Sequence, residues 1–71
     1  MKREDVQKFV NELLEEKDCV DGFEYLDSLQ KLEVVMDCEK EYSIGITEDD
    51  VSNDCDTDHF VEMVYTKIIA R

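Results

Sequence analysis

Apolar side chains recur at helical spacing through most of this chain, and this feature limits its possible folds more than any other. Residues 3–17 place apolar side chains at i, i+3, i+4 and i+7, with polar side chains between them. Residues 28–41 and a last stretch, from 56 or 57 to about 69, have the same spacing. There is no proline, and the two glycines, Gly22 and Gly45, stand where the pattern breaks. The sequence therefore predicts three substantial amphipathic helices.

Each predicted helix has an apolar stripe that should face a shared core. The first stripe comprises Val6, Phe9, Val10, Leu13 and Leu14. The second comprises Leu29, Leu32, Val35 and Met36, with Cys38 at its edge, and the last comprises Phe60, Val61, Val64, Tyr65, Ile68 and Ile69. Between the first two helices, an apolar side formed by Cys19, Val20, Phe23, Tyr25 and Leu26 should pack over this core. Val34 falls outside the second stripe among acidic residues, which predicts an apolar contact for a partner.

A short fourth helix is expected between the second and the last. Thr47 supplies a capping hydroxyl, and the acidic residues 48–50 that follow it suit the positive end of a helix dipole. Only Val51 is apolar just after them, which limits this helix to one or two turns. We therefore predict an all-α fold, with residues 1–71 forming a single domain built as a small four-helix bundle.

The charge of the chain excludes several kinds of partner. It carries 20 acidic and 8 basic side chains, a formal net charge of -12. Such a surface repels phosphate backbones and anionic lipids and attracts basic protein patches, so we expect no nucleic acid and no membrane insertion. The start of the chain has no apolar signal region, and three scattered cysteines without a CxxC pair suit a reducing compartment. We expect a soluble, cytoplasmic monomer.

The tripeptide Asp27-Ser28-Leu29, at the start of the second predicted helix, is the main candidate for chemistry. A serine there is exposed, and the helix dipole favours an anion such as a phosphodiester on its hydroxyl. The preceding Asp27 could help to bind the metal ion of an incoming transferase, and Leu29 could anchor the helix start in the core. Because aspartate and serine are also common helix caps, the tripeptide alone more often has only a capping role.

The residues around this tripeptide resemble the central part of acyl carrier proteins. That family has a serine in an Asp-Ser-Leu motif, then a helix with a Leu/Val-Glu-Leu/Val-Val core, an acidic stretch ending in an aromatic, and an Ile-x-Ile-x-acidic turn. Here these features are Ser28, residues 32–36, residues 39–42, and residues 44–46 leading into Glu48. The resemblance covers residues 26–51 well and the final helix more loosely.

The resemblance implies a specific fold, cofactor and function. The fold would be a four-helix bundle of acyl-carrier-protein type, with three longer helices and a short third one. A phosphopantetheinyl transferase would attach the 4′-phosphopantetheine arm of coenzyme A to Ser28, assisted by Asp27. The arm would hold acyl or aminoacyl groups as thioesters for fatty acid, polyketide or related biosynthesis, and the chain itself would not be an enzyme. Basic patches of the transferase and of acyl-processing enzymes would bind a surface comprising Leu29, Glu33, Val34, Met36, Asp37, Glu41 and Ile46.

Some positions depart from the family pattern. Tyr25 stands where a glycine is usual, Gln30 and Lys31 follow the motif where an acidic residue is common, and Lys40 interrupts the acidic run. Thr47 replaces a frequent proline before the third helix, and the first connection is short. These differences indicate a divergent carrier with dedicated partners.

Three other sites are possible from the residues alone. Asp54, Asp56 and Asp58 match the first, third and fifth positions of an EF-hand calcium loop, but the required glycine and terminal glutamate are replaced by His59 and Tyr65. His59, the only histidine, could be a metal ligand or a base but has no cysteine at a ligand spacing. A cysteine nucleophile needs an electropositive setting, which so acidic a chain does not favour.

The alternative from another class is an unmodified acidic interaction module, such as an adaptor or an inhibitor, with a carrier-like fold. Acidic helical faces bind basic partners through charge complementarity, without covalent chemistry. Ser28 separates the two interpretations: a carrier requires its hydroxyl, whereas a module would accept aspartate or threonine there as alternative caps.

Overall fold

The computed structural model describes residues 2–51 and 55–70, with Glu48 described by its backbone alone. Three α-helices account for most of this length: α1 (Arg3–Glu16), α2 (Ser28–Tyr42) and α3 (Thr57–Ala70). Two 3-10 turns, Phe23–Tyr25 and Glu48–Asp50, lie between them. The all-α prediction and the three long helices are confirmed, with ends within one or two residues of those predicted. In the described part of the chain, no helix is both long enough and apolar enough to cross a membrane.

The expected short fourth helix is a single 3-10 turn, Glu48–Asp50, so a four-helix bundle is not confirmed. The Asp50 carboxylate closes this turn by accepting the Thr47 backbone N–H at 2.9 Å and its hydroxyl at 3.0 Å. The same carboxylate lies 2.9 Å from the Lys67 ammonium on α3. An ion pair between Asp50 and Lys67 therefore holds the turn against α3.

The core lies where α1, α3 and the first 3-10 turn meet. The α1 stripe is confirmed, since Val6, Val10, Leu13 and Leu14 are buried and Phe9 is half-buried. In α3, Phe60, Val61, Val64 and Ile68 are buried and Tyr65 is partly buried, but Ile69 is exposed, contrary to the prediction. The centre of the core is an aromatic stack, in which the Phe23 and Phe60 rings lie 4.2 Å apart at 12°. Such a stack adds about 0.5–1.5 kcal/mol to the apolar burial.

The buried face of α2 differs from the predicted one. The buried residues are Val34, Val35, Cys38 and Tyr42. The predictions for Val35 and Cys38 are confirmed, whereas Leu29, Leu32 and Met36 are exposed and Val34 is fully buried. Both sets satisfy helical spacing, so periodicity alone could not choose between them. The predicted inward stripe of α2 therefore faces outward.

Contacts between elements fix how α2 lies on the core. The ammonium of Lys17, just past α1, reaches Glu33 in the second turn of α2, and the Phe9 ring meets Tyr42 at the other end of α2 edge-on, at 5.5 Å. The two helices therefore run in opposite directions.

The connection between α1 and α2 is tied to α3. Gly22 has a φ of 151°, which favours glycine. The next N–H, that of Phe23, donates to the Thr57 hydroxyl at 2.8 Å. Phe23 and Leu26 are buried as predicted and Cys19 packs against the core, but Val20 and Tyr25 are exposed. The connection thus places the start of α2 at the surface.

The Asp50 contacts lead to a prediction about acid stability. Hydrogen bonds from Thr47, first its backbone N–H, and then the bond from Lys67 lower the pKa of Asp50 from 3.8 to about 2. Because the folded pKa is below the unfolded one, the ionised carboxylate stabilises the fold fully above about pH 4, and this stabilisation is lost as the pH falls toward 2. Asp50→Asn should therefore lower the thermal midpoint at pH 7, with the gap to the parent closing between pH 4 and pH 2.

Thermal unfolding followed by circular dichroism at several pH values measures this gap. Asp49→Asn is the matched control, because this neighbouring carboxylate is exposed and removal of its charge relieves the same self-repulsion. It should not reproduce the pH-dependent gap. A gap for Asp50→Asn that stays constant from pH 7 to pH 2 would show that the ionised carboxylate does not hold the turn.

Candidate attachment and docking site on the second helix

The start of α2 is held by a reciprocal cap. The Asp27 carboxylate accepts the Gln30 backbone N–H at 2.8 Å, and the Gln30 side-chain oxygen accepts the Asp27 N–H at 3.3 Å. This is the capping-box arrangement, with glutamine in its usual third position. Asp27 therefore has a structural role in the free chain, and Gln30, which departs from the family pattern, contributes to the same cap.

Ser28 is the first residue of α2, and its side chain is exposed. The described residues include no hydrogen-bond partner for its hydroxyl. The first turn of α2 contains no acidic residue, and the carboxylate of the preceding Asp27 accepts the Gln30 N–H. The hydroxyl is thus exposed at the start of the helix and accessible to a modifying enzyme.

Three apolar side chains next to Ser28 form an exposed ridge along α2, which we call the α2 ridge. Leu29 is 65% exposed, Leu32 53% and Met36 56%. Their spacing of three and four residues places them on one face of the helix. Leu29 and Met36 were predicted as partner contacts and are accessible for that role. Leu32 was missed, because it was assigned to the core.

Val34 was also predicted as a partner contact, and the structure contradicts this prediction. Its side chain is fully buried in the core, so it cannot touch a partner that docks on the surface. A signal in the sequence distinguishes the two faces of α2. On the buried face, every fourth position from Val34 through Cys38 to Tyr42 is apolar or aromatic. On the α2 ridge, the positions four residues after Leu29 and Met36 are the charged Glu33 and Lys40.

The acidic residues predicted for the docking surface differ in availability. Asp37 and Glu41 are exposed, whereas the Glu33 carboxylate lies 2.6 Å from the Lys17 ammonium. Ile46, the last predicted contact, is half-buried against the core, and its N–H donates to the Glu39 carboxylate at 3.2 Å. Asp37 and Glu41 are therefore available on the surface of α2, while Glu33 is already paired and Ile46 is only partly accessible.

Two residues that depart from the family pattern lie on either side of Ser28. Tyr25, in the first 3-10 turn, is exposed. Lys31 turns toward the core, where its ammonium lies 5.8 Å from the centre of the Phe23 ring, a cation–π distance. Lys31 therefore supports the first 3-10 turn and does not interrupt the α2 ridge, whereas the Tyr25 side chain is exposed three residues before Ser28.

The rival metal sites gain no support from the described geometry. Asp54 lies outside the described residues, and Asp56 caps α3, accepting the His59 N–H at 2.8 Å, which lowers its pKa. The exposed His59 ring meets the same carboxylate at 3.0 Å. Across residues 2–51 and 55–70, no group of three or more histidine, cysteine, aspartate or glutamate side chains could hold a metal ion.

Two of the three cysteines, Cys38 and Cys55, have environments that disfavour a thiolate nucleophile. Burial raises the pKa of Cys38 to about 12, and burial also raises the pKa of Cys55. Cys19 is half-buried, with its sulfur 3.6 Å from the Gly22 carbonyl oxygen. Because the thiolate is the reactive form, burial makes Cys38 and Cys55 poor candidates for a nucleophile.

The second helix thus begins with an exposed serine and carries an exposed apolar ridge from Leu29 to Met36, with the exposed carboxylates of Asp37 and Glu41 farther along it. Comparison of the chain with protein-family models, with curated proteins and with solved structures finds no match.

Proposed function

We propose that this chain is a carrier protein that holds acyl or aminoacyl intermediates as thioesters on a 4′-phosphopantetheine arm attached to Ser28. The observation that carries the proposal is the position of Ser28 as the exposed first residue of α2, directly beside the α2 ridge. The resemblance of residues 26–51 to acyl carrier proteins supports it independently. The pathway would be fatty acid, polyketide or related biosynthesis in the cytoplasm, and the chain would act as a monomer.

In this proposal the chain supplies a nucleophile and a docking surface rather than catalysis. A transferase would move the phosphopantetheinyl group from coenzyme A to the Ser28 oxygen, so that a new P–O bond forms, the hydroxyl proton is lost and the adenosine bisphosphate leaves. Asp27 would keep the helix start in place during the reaction, because its carboxylate caps α2. The short 3-10 turn Glu48–Asp50 would stand where the third helix of a carrier-type bundle is expected.

The partners would be the transferase and acyl-processing enzymes with basic and apolar groups side by side. Leu29, Leu32 and Met36 offer the apolar contact, and Asp37 and Glu41 attract the cations. The net charge of -12 adds long-range attraction of basic surfaces. This pairing should give association that weakens as salt is added.

Intact mass after incubation with coenzyme A and a broad-specificity phosphopantetheinyl transferase tests the proposal. The parent should gain one phosphopantetheinyl group and Ser28→Ala should gain none. Ser43→Ala is the matched control, since Ser43 is an exposed serine at the opposite end of the same helix, and it should be modified like the parent. Absence of any gain in the folded parent, beside a control carrier that is modified, would contradict the proposal.

The second candidate is an unmodified acidic interaction module. The observation that favours it is the Asp27–Gln30 capping box, which gives the start of α2 a structural explanation without covalent chemistry. Such a module would keep its partners when Ser28 is replaced by aspartate or threonine. Full binding of all cellular partners by Ser28→Thr and Ser28→Asp, together with no mass gain in the parent, would favour this candidate over the carrier.

A further inference from the structure

The pairing of Glu33 with Lys17 makes the acidic residues of α2 unequal, because Glu33 is already bound to a cation of the same chain whereas Asp37 is not. The Lys17 side chain is only 13% exposed and the Glu33 side chain 50%, and their charged atoms lie 2.6 Å apart. The hydrogen bond from Glu33 raises the pKa of Lys17, although burial opposes it. The backbone of Lys17 is also fixed, because its N–H donates to the Leu13 and Leu14 carbonyls at the end of α1.

Glu33 lies at the edge of the α2 ridge. It follows Leu29 by four residues and precedes Met36 by three, and helix residues at these spacings are neighbours on the surface. A cationic partner that covers the ridge would therefore meet the Glu33 carboxylate. In the free chain, one oxygen of that carboxylate already binds the Lys17 ammonium.

We infer that the Lys17 ammonium competes with the cations of partner proteins for the Glu33 carboxylate and thereby restricts which partners bind α2. A partner that places a cation at Glu33 must displace Lys17 or share the carboxylate, whereas a partner that places its cation at Asp37 meets an exposed carboxylate without a hydrogen bond from the described residues. The occupant is a protein segment with arginine or lysine beside leucine-like side chains. A second copy of the chain is disfavoured, because each copy carries a net charge of -12. The inference deepens the proposed function, since α2 is the docking surface proposed above.

The test uses a synthetic helical peptide with arginines along one face and leucines along the other. Its dissociation constant is measured by NMR titration of the labelled full chain, at low salt and at physiological salt. Lys17→Met keeps the apolar stem and removes the competing charge, so the peptide should bind about two- to fivefold more tightly, the range of an ion pair at a surface. The shifted resonances should lie on α2.

Three further variants separate competition from a change in net charge. Lys8→Met removes the same charge from an exposed site on α1 and should give a smaller gain. Lys17→Arg keeps the pair and should bind like the parent. In the double variant Lys17→Met with Glu33→Gln, the gain should disappear. Lys17→Gln, with a neutral polar head, replaces Lys17→Met if the latter is unfolded by circular dichroism.

Equal gains for Lys8→Met and Lys17→Met would overturn the inference, because the effect would then be general electrostatics. No gain for Lys17→Met, or peptide binding away from α2, would overturn it too. Failure of the carrier proposal is seen separately, as a parent chain without a phosphopantetheinyl group in the mass measurement. The peptide titration does not use Ser28, so each hypothesis can fail alone.

Discussion

Val34→Asp is expected to unfold the protein, whereas Leu32→Asp, two residues earlier on the same helix, should leave it folded. Val34 is fully buried, and the substitution would place a carboxylate in the core without a partner. Such a buried charge costs several kcal/mol. A chain of 71 residues has a total free energy of unfolding of about 4–11 kcal/mol, from about 0.05–0.15 kcal/mol per residue. The cost is therefore comparable with the whole stability of the fold.

Leu32→Asp is the matched control for this experiment. The Leu32 side chain is more than half exposed, and surface substitutions usually change the free energy of unfolding by less than about 0.5 kcal/mol. Urea titration followed by circular dichroism should show a cooperative transition for Leu32→Asp and none for Val34→Asp. The reverse result would mean that the stripe first predicted from the sequence, with Leu32, faces the core, and the α2 ridge would not exist.

The fold could be predicted where a single apolar stripe dominates a helix. In α1 the stripe from Val6 to Leu14 has no competitor on the other faces, so both the helix and its buried side followed from spacing. The start of α3 near residue 56 or 57 also followed from the sequence, and there the Asp56 carboxylate caps the helix while the Thr57 hydroxyl accepts the Phe23 N–H. The position of a cap follows from local chemistry, but a contact across the chain depends on packing.

The buried face of α2 was predicted wrongly, because two apolar stripes share that helix. One passes through Leu29 and Met36 and the other through Val34 and Cys38, and helical spacing permits either to be buried. Packing against α1 decides between them, since Tyr42 meets Phe9 and thereby fixes the rotation of α2. The apolar surface beside Ser28 is a direct consequence of that rotation.

The position of Ser28 could be predicted from the sequence, whereas the charge pairing on α2 could not. The place of Ser28 at a helix start followed from local sequence, because capping residues directly before a helical apolar pattern mark such a start. The pairing of Glu33 with Lys17 joins residues 16 apart in the chain. Since it depends on how α1 and α2 pack, no short-range pattern could reveal that the Glu33 carboxylate is already paired.

Ser28→Ala is expected to abolish attachment of the phosphopantetheine arm completely. The substitution removes the only atom that accepts the arm in this account, while α2 retains its cap, because the Asp27 and Gln30 side chains are untouched. The variant should therefore unfold at nearly the same urea concentration as the parent. Loss of modification without loss of stability separates a chemical role of Ser28 from a structural one.

Leu32→Asp should give a different kind of defect in the same transferase reaction. The variant keeps the Ser28 hydroxyl but places a charge on the α2 ridge, so modification should be slower at low carrier concentration and recover as that concentration is raised. A fully unmodified Leu32→Asp chain at saturating concentration would show that Leu32 is needed for more than binding.

The most direct test of the central claim is intact mass after incubation with an acyl-coenzyme A and the transferase, followed by neutral hydroxylamine. We predict that the parent gains one acyl-phosphopantetheinyl group, that hydroxylamine removes only the acyl group, as expected for a thioester, and that fragmentation places the remaining arm on Ser28. A folded parent that gains no mass beside a modified control carrier, or a gain that persists in Ser28→Ala, would contradict the account.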